Sequence, residues 1–157
     1  MANNPHSTAS IAGHPIHPML ISFPIAFFVG TFACDIAYLA TGNPDWPMAT
    51  QWMLGAGIIM GLLAAVFGFT DLIGDGRIRA LSDVWWHAGG NVLAVLISIV
   101  NFFVRYDRGA DVVRPTGLIL SIIVVLILLF TGWKGWEMVY RDHVGVADDI
   151  RSPPTTP

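Results

Sequence analysis

Apolar residues run almost unbroken through four stretches of the chain, about Pro18 to Thr41, Ala49 to Ile73, Val84 to Val104 and Thr116 to Tyr140, with polar residues gathered between them. Each stretch has the roughly 20 mostly apolar residues that a helix needs to cross a hydrocarbon core. The connectors TGNPDWP and GDGRIRALSD hold the Gly, Pro, Asn and Asp that end helices and make turns. Connections this short force neighbouring helices antiparallel. The pattern therefore predicts an all-α polytopic membrane protein, a four-transmembrane-helix antiparallel bundle. It forms a single transmembrane domain over residues 1–157, with short polar tails at 1–13 and 146–157.

Aromatic placement supports the four spans. Tyr38, Trp46, Trp52 and Tyr106 fall near one set of span ends, and Trp85, Trp86, Trp133, Trp136 and Tyr140 near the other. Trp and Tyr favour the headgroup level, where the ring is apolar and its tip stays wet. The chain is 54% hydrophobic and 12% charged, whereas a soluble domain carries about 25% charged residues. No Lys or Arg precedes the first apolar run, so that run is expected to stay as a span rather than to act as a cleaved signal. The net charge of −3 offers no basic stripe for nucleic acid. One cysteine, Cys34, excludes an intrachain disulfide and reads as a packing residue. Gly57 and Gly61 form a small-xxx-small pair, and Pro24 is expected to bend the first helix. No internal repeat is evident.

The span order brings polar residues to one boundary. Call the side of the N-terminus side A and the opposite one side B. His14 and His17 begin the first span, Asp71 ends the second, His87 and Asn91 begin the third, and Glu137 and His143 end the fourth, so all reach side A. Side B has no histidine. Pro15 and Pro18 predict a stiff extended lead-in with His17 at about the N-cap of the first helix. Taken singly, each residue has an ordinary role. His14 and His17 suit an interface, His143 a wet segment, and Asp71 a helix end. Asn91 suits interhelical bonding, and Lys134 with Glu137 a local ion pair. Together they point to a ligand site, because an ionisable group inside a span usually faces the bundle interior and marks function. Asp35 lies roughly eighteen residues beyond His17, about 27 Å further along a helix. It belongs near side B with Asn101, in reach of Arg105, while Ser98 and Ser121 are expected to bond their own backbones.

Two imidazoles facing each other from different helices suit haem b. His17 and His87 are the expected pair, with His14 or His143 as substitutes, and Gly68 and the Ala88–Gly90 turn of helix are expected to leave room for the macrocycle. A transition metal ion without porphyrin is the other ligand, drawing on His14, His17, His87, His143 and Asp71, with Asn91 and Glu137 in support. No HExxH or activated nucleophile is present, so no catalytic residue is assigned. A non-catalytic accessory or assembly subunit, docking a partner at side A, is the remaining class.

The segments HPIHPMLISFP, GFTDLIG and WWHAGGN, with Asp35 between the first two, resemble a bacterial membrane family known as domain of unknown function 2231. The resemblance spans about His14 to Val146 and rests on His14, Pro15, His17, Pro18, Phe23, Pro24, Asp35, Asp71, His87 and Asn91. It implies a bacterial inner-membrane protein. Some relatives join this region to a Rieske-type iron–sulfur domain, which implies electron transfer and a redox partner protein, although one cysteine in this chain departs from that form. Side A carries Arg77, Arg79, Lys134, Arg141 and Arg151 against Arg105, Arg108 and Arg114 on side B. That bias places both termini in the cytoplasm.

Overall fold

A computed structural model describes residues 4–147. A short hairpin of β1 (Ser10–Ile11) and β2 (His14–Pro15) precedes α1 (Ile16–Leu20) and α2 (Ser22–Thr41). Next come α3 (Asp45–Gly74), α4 (Gly76–Arg79), α5 (Ser82–Arg108), a 3-10 turn over Gly109–Val113, and α6 (Thr116–Tyr140). Four spans result: Ile16–Thr41, Asp45–Gly74, Ser82–Val113 and Thr116–Tyr140. Each expected stretch falls within one of them.

The lead-in differs from the expected extended segment. Ala12 and Gly13 both take positive φ, 50° and 80°, the backbone a tight two-residue hairpin turn requires. Pro15, not His17, is the N-cap residue, so His17 lies inside α1. The bend expected from Pro24 appears as a break at Ile21 between α1 and α2. Proline has no N–H for the Leu20 carbonyl, so the ladder of backbone bonds is interrupted there.

The helices pack in a closed ring, α2 on α3, α3 on α5, α5 on α6 and α6 on α2, and the two hairpin pairs α2–α3 and α5–α6 are the most extensive contacts. Polarity runs opposite to a soluble bundle. Thr31, Asp35, Thr50, Ser98, Asn101, Arg105, Ser121 and Thr131 are buried, while Leu62, Val66, Phe69, Leu96, Leu126 and Leu129 are exposed. That is the arrangement a lipid environment calls for. Lipid tails are as apolar as Leu, so helices associate through close packing and hydrogen bonds. Gly57 shows the close approach: a Cβ there would lie 2.6 Å from the Phe28 ring. The described ends meet on side A, where the Gly145 amide donates to the Pro5 carbonyl at 2.8 Å and the Asn4 side chain donates to the Val146 carbonyl at 3.1 Å.

Candidate two-histidine site at one membrane boundary

His17 and His87 meet across the bundle interior with ring centroids 6.1 Å apart and planes at 81°. They come from different helix pairs, and each is fixed from behind in the same way. Nδ1 of His17 donates to the Ala64 carbonyl on α3 at 2.8 Å, and Nδ1 of His87 donates to the Thr131 carbonyl on α6 at 2.8 Å. A carbonyl only accepts, so Nδ1 carries hydrogen in both rings and the neutral ring keeps its Nε2 lone pair. A backbone carbonyl on the far nitrogen is how proteins orient metal-binding histidines. Glycine permits the docking. A Cβ on Gly68 would lie 2.8 Å from Nδ1 of His17, and one on Gly135 would lie 3.1 Å from the His87 ring.

Asn91 and Thr131 close the support around His87. The Asn91 amide donates to the His87 carbonyl at 2.8 Å, and the Thr131 hydroxyl donates to Oδ1 of Asn91 at 3.2 Å. Asn91 thus does the interhelical work expected of it. The glycines do not leave the room expected for a macrocycle. His17 itself fills the space at Gly68, and the Thr131 methyl fills that at Gly90.

Asp71 is not turned toward the imidazoles. Its carboxylate accepts from the Ser7 hydroxyl at 2.9 and 3.0 Å, the Thr8 hydroxyl at 3.3 Å and the Ala9 amide at 2.8 Å. It anchors the segment leading to the hairpin, because that segment carries donors and folds back over the end of α3. His14 is exposed and its Nδ1 donates to the Ala12 carbonyl at 3.0 Å. His143 sits past α6 with φ of 55°, in the C-terminal segment bonded to Pro5. Glu137 is buried and pairs with Lys134 at 2.7 Å and Arg141 at 2.9 Å, and Lys134 also reaches Asp83 at 3.1 Å. These are structural ion pairs. Among the described residues no group of three His, Cys, Asp or Glu side chains is placed to hold a metal ion. The five-residue metal set therefore does not assemble, and His17 with His87 is what converges. Sequence reasoning passed over Ser7, Thr8, Thr131 and Gly135, none of which lies in a recognisable motif. It also passed over His6, whose amide donates to Asp75 at 3.2 Å.

A family model described as a predicted membrane protein, domain of unknown function 2231, matches residues 13–148. The chain belongs to this family. No curated protein and no solved structure matches it.

This member of the family holds a second polar layer toward side B. Arg105 donates from Nη1 and Nη2 to the two oxygens of Asp35 at 2.8 and 2.7 Å, and from Nε to Oδ1 of Asn101 at 2.8 Å. Ser121 donates to Asp35 at 2.7 Å and accepts from Asn101 at 3.2 Å. The ion pair is closed to solvent, with side chains 3% and 0% exposed. The pairing expected of Asp35 and Arg105 is present. Ser121 joins it as well as bonding the Gly117 carbonyl at 3.0 Å, whereas Ser98 bonds only its own helix at Ala94, 2.8 Å away.

Proposed function

We propose that the protein is an electron-transfer subunit of the bacterial inner membrane that binds haem b or a transition metal ion through His17 and His87. The observation that supports this reading is the opposed imidazole pair, each ring tied through Nδ1 to a carbonyl of the neighbouring helix. Centroids 6.1 Å apart bring the two rings within reach of one shared metal ion, given metal–nitrogen bonds of about 2.0–2.1 Å. The number of donors favours haem. Two histidine donors from protein would be enough to hold a haem, whereas a closed zinc site takes four protein ligands. When bound, the haem iron supplies one-electron transfer. The protein's own residues would do the rest: His17 and His87 would hold the metal through their Nε2 atoms, and the Ala64 and Thr131 carbonyls fix their tautomers. Asn91 ties Thr131 to the α5 backbone. A redox partner protein would meet the side A end, where a cavity of about 410 Å³ opens between His6, Ser7, Ser10 and Pro15 on one side and Gly145 and Val146 on the other.

Of the two, a transition metal ion without porphyrin is favoured by the filled spaces at Gly68 and Gly90. A reduced-minus-oxidised absorption spectrum of the purified protein, with metal analysis of the same sample, separates the two. Haem predicts a Soret and α-band change that His17→Ala or His87→Ala abolishes and His14→Ala or His143→Ala preserves. Absence of any band ends the haem reading. Stoichiometric metal without the bands transfers the site to a bare ion, and neither leaves a non-catalytic assembly subunit.

A further inference from the structure

Most interior residues of the two helical hairpins correspond, Cys34, Gly61, Leu72, Val84 and Glu137 being buried without a buried counterpart. Pro24, Phe28, Thr31 and Asp35 are buried on α2, and Ala94, Ser98, Asn101 and Arg105 are buried on α5. The two sets are separated throughout by the 70 residues that divide Asp35 from Arg105. His17 and His87 keep that separation too. On the returning helices, Thr50, Leu54, Gly57 and Ala64 of α3 match Gly117, Ser121, Val124 and Thr131 of α6, again at one constant spacing and all buried. Gly68 and Gly135 extend the series, and each lies against the histidine of its own half. The carbonyls that hold the two imidazoles, Ala64 and Thr131, are therefore equivalent, as are the glycines beside them. Packing obeys the same relation. α2–α3 matches α5–α6 in extent, and α2–α6 matches α3–α5.

From these correspondences we infer that the bundle is two copies of one helical hairpin related by a pseudo-two-fold axis along the membrane normal, and that both polar layers lie on that axis, the His17–His87 pair binding its ligand with one identical donor from each half and the Asp35–Arg105 pair locking the halves together. A residue near a two-fold axis meets its own counterpart. His17 meets His87, and Asp35 meets Arg105. Identical donors on the axis suit a ligand shared equally by the two halves, which deepens the proposed function and rests on it for the ligand alone. At the side B layer identity is forbidden, because two carboxylates or two guanidiniums would face each other without water. The halves differ there in a concerted way. A Cβ on Gly117 would lie 2.6 Å from Nη2 of Arg105, so glycine stands beside the arginine, and its counterpart Thr50 stands in the half that carries the smaller aspartate. Asn101 and Ser121 bond the pair, and their counterparts are Thr31 and Leu54. Halves that share a fold but not this layer have the charge complementarity that makes one half prefer the other to itself.

Equivalence of the halves makes the side B layer exchangeable as a set. In the full-length chain, Thr31→Asn, Asp35→Arg, Thr50→Gly and Leu54→Ser are combined with Asn101→Thr, Arg105→Asp, Gly117→Thr and Ser121→Leu, which turns the layer half a revolution about the axis. The eightfold exchange should purify as a monodisperse species with a melting temperature near that of the parent. Either fourfold set alone, which faces like charges, should aggregate. An eightfold variant as defective as the fourfold ones would overturn the proposal. A second measurement needs no interior change except Cys34→Ala. Spin labels at exposed Ile36 and Leu126 should give the same distance distribution as labels at the equivalent Tyr106 and Ile59. Means differing by more than about one helical turn, 5.4 Å, would also overturn it. Neither readout involves haem, so failure of the ligand reading and failure of the symmetry are separable.

Discussion

Arg105 is enclosed by partners on every polar edge: two carboxylate oxygens, an amide oxygen and a serine hydroxyl. Removing one member of such a pair leaves an uncompensated charge in a low-dielectric interior, which costs about 3–5 kcal/mol. Asp35→Ala and Arg105→Ala should each lower the thermal midpoint in detergent sharply, while the double substitution should lower it by less than the sum. An additive result would mean that the pair is not coupled. Gly68→Ala and Gly135→Ala probe the other layer. The Cβ at Gly68 would press on the His17 ring at 2.8 Å and that at Gly135 on the His87 ring at 3.1 Å. The first should therefore displace its imidazole nitrogen resonances more than the second, and equal shifts would contradict the geometry. At this scale the histidine pair and the Asp35–Arg105 pair were legible from span order alone, because depth along a helix follows from residue count. Asp71 was not. Depth brings it to the right boundary, but its partners Ser7 and Thr8 lie in a polar segment that carries no periodicity to read.

That N-terminal segment is the element whose behaviour is most exposed to solution conditions. Asp71 anchors it through Ser7, Thr8 and Ala9, Asp75 accepts from the His6 amide, and Thr8 lies against Gly74. Asp71→Ala removes the acceptor of the Ala9 amide, while the Ser7 and Thr8 hydroxyls keep the Ala9 and Thr70 carbonyls at 3.2 and 3.0 Å. Leaving that buried donor unmatched costs about 1–3 kcal/mol, less where water can reach it. Hydrogen exchange at the Ala9 amide should accelerate, while exchange in the interiors of α3 and α5 should not. Asp75 sets the response to pH. Hydrogen bonds from the Arg77 side chain hold its carboxyl well below the usual carboxylate range, and the Arg77 and His6 amides add to this. A depressed folded value means a stabilising contribution that is present above the unfolded pKa and lost only as pH falls through the folded one. The His6 contact should therefore persist at pH about 4, where an ordinary Asp is half protonated. Arg77→Ala should bring its loss up into that range, read as the His6 amide shift during an acid titration. The hairpin itself was hidden by its prolines, which read as extended backbone, while Ala12 and Gly13 between the two His-Pro units and the preceding segment set the turn.

At the scale of the whole molecule, hydropathy revealed the four spans and their order, because lipid accepts only apolar surface and the outward residues dominate each stretch. The relation between the halves was invisible for the same reason. The inward residues that carry it are few, and apart from His17 with His87, Gly68 with Gly135, Phe32 with Phe102 and Leu62 with Leu129 the equivalent positions on the α-helices hold different side chains. Sidedness is the remaining global property, and the structure sharpens its basis. Arg105, counted on side B by position, is buried in its ion pair at 3% side-chain exposure and is no loop cation. Arg108 and Arg114 remain on side B, against Arg77, Arg79, Lys134 and Arg141 on side A. Lys134 and Arg141 are paired with Glu137, but acidic partners contribute little to topology. Excess Lys and Arg near span ends marks the cytoplasmic face. Because Pro5 and Gly145 are bonded to each other, reporters fused to either end should give one answer. A fluorescent protein that matures only in the cytoplasm should be bright at both, and a periplasm-dependent phosphatase inactive at both. Signals that differ between the ends would break the even span count, whereas matched periplasmic signals would reverse the orientation and leave the fold intact.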